Sequence, residues 1–298
     1  MASGCGDDPV FATGGGPAGD EPSSCAEPTD VPAAVVEELA LDEGFYAKHC
    51  AVLGIDVLAS RRVPDMAMEV AGRLMQGVLE GEPELRDALH DRFFRVVLVA
   101  SSAGEQLRDV PELHGISSRE NAAAGIGPDP AFPAATIRDS AILCRPPEQD
   151  ALATPPGDTL LHELGHALLS MGLPETTPDF RMRLEEAHAA ARADGRWDIR
   201  VLPAADLLFG PLPSDNYMMS NAEEYWATGV SAWLGFKPVP IAYALTDDDP
   251  PKLQLQVIYG RDSIADVDPA LAKLLTEVLG PNPELRHHCP AWIPAGSP

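Results

Sequence analysis

The 298-residue chain carries 21 Lys and Arg against 46 Asp and Glu, a net charge of −25, and lacks the clustered cations that neutralise nucleic-acid phosphates or anionic lipid headgroups. Its composition, 45% hydrophobic and 22% charged, is that of a globular chain able to bury a core, and no apolar run is long enough to span a bilayer. An acidic surface steers cationic partners inward, which makes basic peptides a candidate substrate class.

In chain order, residues 1–30 hold Gly14-Gly15-Gly16, four prolines and six acidic residues, with few large apolar groups. Such a stretch cannot bury enough surface to offset the entropy of ordering, and reads as a flexible spacer. Within it, Ala2-Ser3-Gly4-Cys5 resembles the end of a bacterial lipoprotein signal, so Cys5 is a candidate for a lipid anchor on a secreted or cell-surface protein. The five cysteines include no C-x-x-C pair, and their odd number suits an oxidising compartment if one has a separate use.

Order is expected from Val31 onward. Residues 33–40 read as a short helix and 62–79 as a longer one, with Val63, Met66, Val70, Leu74 and Val78 at helical spacing. Helix continues over 85–94, and the β-branched run 95–100 reads as a buried strand. Residues 101–157, rich in Gly and Pro, predict long loops with one strand near 141–144. From Thr159 helices dominate, apart from a Pro-rich passage over 201–213, and residues 269–279 form a last amphipathic helix. The expected fold class is α+β, with helices around a small sheet in one domain over 31–298.

His162-Glu163-Leu164-Gly165-His166 is the most specific signal. Residues four apart share a helix face, so two imidazoles can converge on one Zn2+ while Glu163 beside them acts as general base. Pro155-Pro156-Gly157 stops what precedes, Asp158 or Thr159 can cap the helix, and Gly172 is placed to end it. Leu161, Leu164 and Leu168 form its core stripe. A mid-helix Gly165 costs about 1 kcal/mol against Ala, which suggests close packing or a functional need.

A catalytic zinc needs a third protein ligand. Leu169 and Gly172 stand where the metzincin pattern has Gly and His, which excludes that class. Two downstream segments remain. Glu185-Glu186 has a thermolysin-like spacing, but Ala190 replaces the expected Asp, and an exposed helix face accounts for the pair. In the other segment, Ser220 and Glu223 have capping-box spacing, which leaves Glu224 free to point elsewhere beside inward-packing Tyr225, Trp226 and Trp233.

The HELGH motif followed by Tyr217-Met-Met-Ser-Asn-Ala-Glu-Glu224-Tyr-Trp-Ala resembles the lethal-factor-like zinc peptidases, named for the anthrax toxin protease. It is more similar still to secreted microbial proteins with that peptidase core. There, a tyrosine seven positions before the ligand glutamate recurs, as do the aromatic pair and Ala after it. With Phe45-Tyr46 and Val63-Pro64-Asp65, the resemblance covers most of residues 45–290. It implies a zincin-like fold, Zn2+ on His162, His166 and Glu224, and hydrolysis of peptide or protein substrates by an endopeptidase rather than an exopeptidase. In that scheme Glu163 activates a zinc-bound water and Tyr217 stabilises the oxyanion. Family members often carry a second Glu four residues after the ligand. Thr228 stands there instead, which keeps open a weak or inactive zincin-like surface binding module. A non-peptide zinc hydrolase such as an amidase is a further alternative.

Other patterns carry less. Gly229-Val-Ser231-Ala-Trp233 is no nucleophile elbow, and Gly125-Ile-Gly127 runs into Pro128, unlike a dinucleotide loop. His287-His288-Cys289 reads as a polar tail with a disulfide cysteine. His49, His90, His114 and His188 are isolated, and Trp197 and Trp233 are expected in the core.

Overall fold

Two residues at positive φ, Leu53 at 52° and Gly54 at 87°, turn the chain back between strands β1 (Tyr46–Val52) and β2 (Ile55–Ser60), which pair antiparallel from Val52 opposite Ile55. Positive φ at both loop positions matches the right-handed twist of a hairpin, and glycine takes it without cost. This computed structural model describes residues 25–129, 131–143, 156–201, 216–245, 250–258, 260–280 and Leu285.

The hairpin opens a five-stranded mixed sheet in the order β1-β2-β3-β5-β4. Its centre is parallel: β2 pairs with β3 (Arg95–Val99), and β3 with β5 (Ala134–Arg138). The far edge is β4 (Gly125–Ile126), antiparallel to β5. All five β3 residues are buried, as a central parallel strand covered on both faces requires. The two-residue period sorts the side chains. Val57, Ala59, Val96, Leu98, Ala135 and Ile137 face a large core shared with the helices. Leu58, Val97, Val99 and Ala134 face a smaller one closed by Leu107, Val110 and Leu113 of short 3-10 turns. Helix α1 (Ala33–Leu39) covers that second face through Val35, Val36 and Leu39.

Helices α2 (Asp65–Leu79) and α3 (Pro83–Asp91) make the crossover from β2 to β3. The longer helix starts at Asp65 rather than at 62, because Pro64 sits at its N-cap in extended conformation. Residues 101–143 are less loop-like than their composition suggests: they hold the 3-10 turns, a four-residue helix α4 (Ser118–Asn121), β4 and β5. The strand expected near 141–144 lies upstream, at β5. A 3-10 turn occupies Asp139–Ala141, and Cys144 is outside the described residues.

The second half is built around α5 (Asp158–Ala167) and α8 (Ala222–Trp233). Gly172 does not stop the first: the helix runs through a π turn (Leu168–Gly172) into α6 (Leu173–Thr176). Helix α7 (Phe180–Ala193) follows, and α9 (Arg261–Val267) and α10 (Pro269–Leu279) complete the layer. Helices do not hold this half alone. Strands β6 (Arg200–Val201), β7 (Val239–Leu245) and β8 (Leu253–Ile258) form a second sheet. The architecture is thus α+β with two small mixed sheets, and among the described residues no helix is long and apolar enough to cross a membrane.

A disulfide joins Cys25 to Cys50, and Thr29 pairs with His49 in an isolated antiparallel bridge. The chain is therefore engaged with β1 from Cys25, earlier than the expected start at Val31. The rest of the expected spacer with Cys5, most of the Pro-rich passage, and His287-His288-Cys289 lie outside the described residues.

Candidate metal centre

Helix α5 begins at Gly157, whose φ of 93° no other residue type takes easily and whose N–H donates to Ala141 O at 2.8 Å. No side chain caps it. Asp158 instead occupies the first turn, 1% exposed, and accepts from Ser231 Oγ and from Lys237 Nζ at 2.8 Å. A carboxylate there complements the helix dipole. Leu160, Leu161, Leu164, Ala167 and Leu168 are buried, which turns His162 and His166 together toward one cleft.

The two Nε2 atoms lie 3.2 Å apart. Glu224 of α8 meets both, its Oε2 3.1 Å from His162 Nε2 and its Oε1 3.7 Å from His166 Nε2. Ligands about 2.0–2.1 Å from a tetrahedral zinc stand roughly 3.3 Å from one another, so these edges suit that ion. Lone-pair atoms this close repel unless a cation or protons lie between them. Glu224 Oε2 is buried without a hydrogen-bond partner, as a ligand atom facing an ion would be. Among the described residues, His162, His166 and Glu224 are the group of three with ligand atoms mutually within 4.8 Å. The alternative ligands Glu185 and Glu186 lie exposed on α7, outside this group.

Glu224 arrives by several long-range contacts. Trp226 Nε1 donates to Gly165 O at 2.9 Å, which ties α8 across to α5. A Cβ on Gly165 would stand 2.9 Å from Ala227 Cα, so this glycine lets the two backbones touch. Tyr225 OH donates to Asp268 Oδ2 at 2.6 Å, and Asp268, fully buried, also accepts from Trp197 Nε1, Arg196 and Leu271 N. The expected capping box does not form. Ser220 is helical, at the end of a 3-10 turn (Tyr217–Met219), whereas Asn221 is extended and its Oδ1 accepts from Glu224 N at 2.8 Å. Glu223 points outward and pairs with Arg181.

The centre lies in a cleft of about 400 Å3, walled by Gly125, Ile126, Gly127 and Pro128 on one side and by Leu169, Ser170, Arg181, Tyr217 and Glu223 on the other. Glu163, 8% exposed, lines it too. Burial pushes the Glu163 carboxyl up, an effect His162 and His166 only partly offset. Burial also opposes charge on His166 and on Glu224, but their neighbours win in both: the Glu224 carboxylate raises His166, and His162, His166 and Tyr217 hold Glu224 well below the usual carboxylate range. Tyr217, itself 64% exposed, is pushed up to about 12 by desolvation and by the Glu224 carboxylate beside it, and so stays a hydrogen-bond donor. Thr228, one turn after Glu224, is buried with an unpartnered hydroxyl, and His162 Nδ1 also lacks a partner. Metal-binding imidazoles usually have such outer support.

His162, Glu163, His166, Tyr217 and Glu224 thus line one cleft. Arg181, Asp158, Asp268 and the Gly125–Gly127 pair escape motif reading. Of these, Asp158 leaves a trace as a cap candidate and the glycines as two small residues with one between them. No protein-family model matches the chain, and no curated protein or solved structure matches it either.

Proposed function

We propose that this protein is a zincin-like, zinc-dependent endopeptidase. One observation carries the reading: two imidazoles of one helix and a carboxylate of another converge within 3.1–3.7 Å, beside a buried glutamate. His162, His166 and Glu224 would hold the Zn2+. Bound there, the ion supplies Lewis-acid chemistry, polarising a carbonyl and lowering the pKa of water at the site. Glu163 takes the proton from the attacking water and delivers it to the leaving amine, a task suited to a carboxylate whose affinity for protons burial has raised. Tyr217 donates to the oxyanion as charge develops on it. The neighbouring edge strand β4 favours a peptide over a small amide, because a sheet edge can pair with an extended backbone.

The test combines metal analysis with turnover. Wild type should hold one zinc per chain and cleave members of a peptide library. Glu163→Gln should retain the zinc while turnover is lost, and Glu224→Ala should lose the ion where Glu186→Ala keeps it. Cleavage surviving in Glu163→Gln sinks the general-base assignment. A second reading, a zincin-like surface binding module without turnover, is favoured by the unpartnered Thr228 hydroxyl and His162 Nδ1. Stoichiometric zinc with no hydrolysis across the library would select it. The Cys25–Cys50 disulfide supports a secreted or cell-surface location for either, since such bonds persist in oxidising compartments.

A further inference from the structure

Gly125 lies in the edge strand β4 and Gly127 just past its end, and a Cβ at either position would point to the Glu163 carboxylate. Ile126 between them packs into the core on the opposite side of the sheet, so the glycine faces look toward α5. Neither glycine has a positive φ. Backbone conformation thus gives no reason for glycine here, and space is the reason that remains.

The two positions need that space for different neighbours. A Cβ on Gly125 would stand 2.7 Å from Thr159 Cγ2 and 3.0 Å from Ile137 Cδ1, both packed groups, and 3.2 Å from Glu163 Oε1. A Cβ on Gly127 would stand 2.9 Å from Glu163 Oε2, and its next neighbours are His166 Cβ and Cδ2 at 3.5 Å, an ordinary contact. At Gly127, then, the group that must yield is the carboxylate of Glu163. Being the free end of a side chain, it can move without disturbing the core.

We infer that Gly127 is a positioning residue for the general base: its bare backbone is the wall against which the Glu163 carboxylate rests, and a single added Cβ displaces that carboxylate by about half an ångström, from 2.9 Å to ordinary contact at 3.4 Å. The inference rests on the proposed hydrolase reading, in which Glu163 must sit within hydrogen-bond reach of both water and leaving group. Misplacement of this order lowers the chemical step by roughly 10- to 100-fold.

The test is Gly127→Ala, with Gly125→Ala beside it. Gly127→Ala should keep its zinc, its melting temperature and its KM, because the added methyl faces α5, while kcat falls about 10- to 100-fold. Gly125→Ala should instead lower the melting temperature, since Thr159 and Ile137 must move. A crystal structure of metal-free Gly127→Ala should show the Glu163 carboxylate shifted and the backbones of β4 and α5 unmoved. An unmoved carboxylate overturns the inference. So does full kcat in Gly127→Ala, or a loss of fold or zinc comparable to that of Gly125→Ala. If wild type cleaves no peptide, the hydrolase reading fails, and the crystallographic comparison still decides whether Gly127 sets the position of Glu163.

Discussion

Helices α5 and α8 both bring the proposed ligand atoms to one point, and each is tied down by a buried aspartate, but the two anchors differ in origin. Asp158 belongs to α5 itself: it sits in the first turn and is matched by Lys237 and Ser231 from the far end of the partner helix and beyond. Asp268 lies outside α8, as the N-cap of α10, and gathers Tyr225 of α8 together with Arg196 and Trp197 from the turn after α7. The histidine pair is thus set by the period of its own helix. Glu224 is set by three segments distant in sequence. A site of this kind is stiff on one side by local geometry and on the other only by cooperation.

The sharpest way to break that asymmetry is Asp268→Ala. It would leave Tyr225 OH and Trp197 Nε1 buried without an acceptor and Arg196 without its buried partner, at a cost of about 3–5 kcal/mol. Urea unfolding should register this, and zinc affinity should fall with it because Glu224 loses its footing. If affinity is unchanged while stability drops, Asp268 supports the fold and not the ligand. Gly165→Ala probes the seam between the helices. Ala is the better helix former by about 1 kcal/mol, yet its methyl would meet Ala227 backbone. Overpacking of this sort costs about 1–3 kcal/mol, so the melting temperature and zinc affinity should both drop. A rise in melting temperature would mean that the seam can open. The smallest effect belongs to Arg181→Ala at the cleft rim. Exposed ion pairs such as Arg181 with Glu223 and Glu185 contribute about 0–1 kcal/mol. Stability should hardly move, and any change in KM should fade as salt rises.

The same asymmetry explains what could be read from sequence. A histidine pair at positions 162 and 166 needs only the 3.6-residue period to meet, and β3, a run of β-branched residues, announces itself. Glu224 needed a resemblance, because no local rule brings α8 onto α5. Its cap shows the limit of short motifs: Ser220-x-x-Glu223 and Asn221-x-x-Glu224 both have capping spacing. The choice falls to Asn221 because the Tyr217–Met219 turn leaves Ser220 already helical, with φ −65° and ψ −40°. Gly172 has the position of a helix stop, yet the π turn carries the chain through it; a Cβ there would stand 3.1 Å from Leu85 Cδ2, so the glycine answers a packing need. Strands β7 and β8 are hidden in a Pro-containing stretch, where pairing between strands outweighs local preference. The β1–β2 hairpin escaped because Leu53 occupies a turn position usually filled by Asn, Asp or Gly.

The bond between Cys25 and Cys50 has a mechanical consequence. It closes residues 25–50 into a covalent ring that contains α1. Tension on the chain ahead of Cys25 therefore bypasses the ring's interior and enters the molecule at Cys50, in a strand hydrogen-bonded along its length to β2. A tug from that side therefore meets the β1–β2 pairing first, before the helices that carry the proposed ligand atoms.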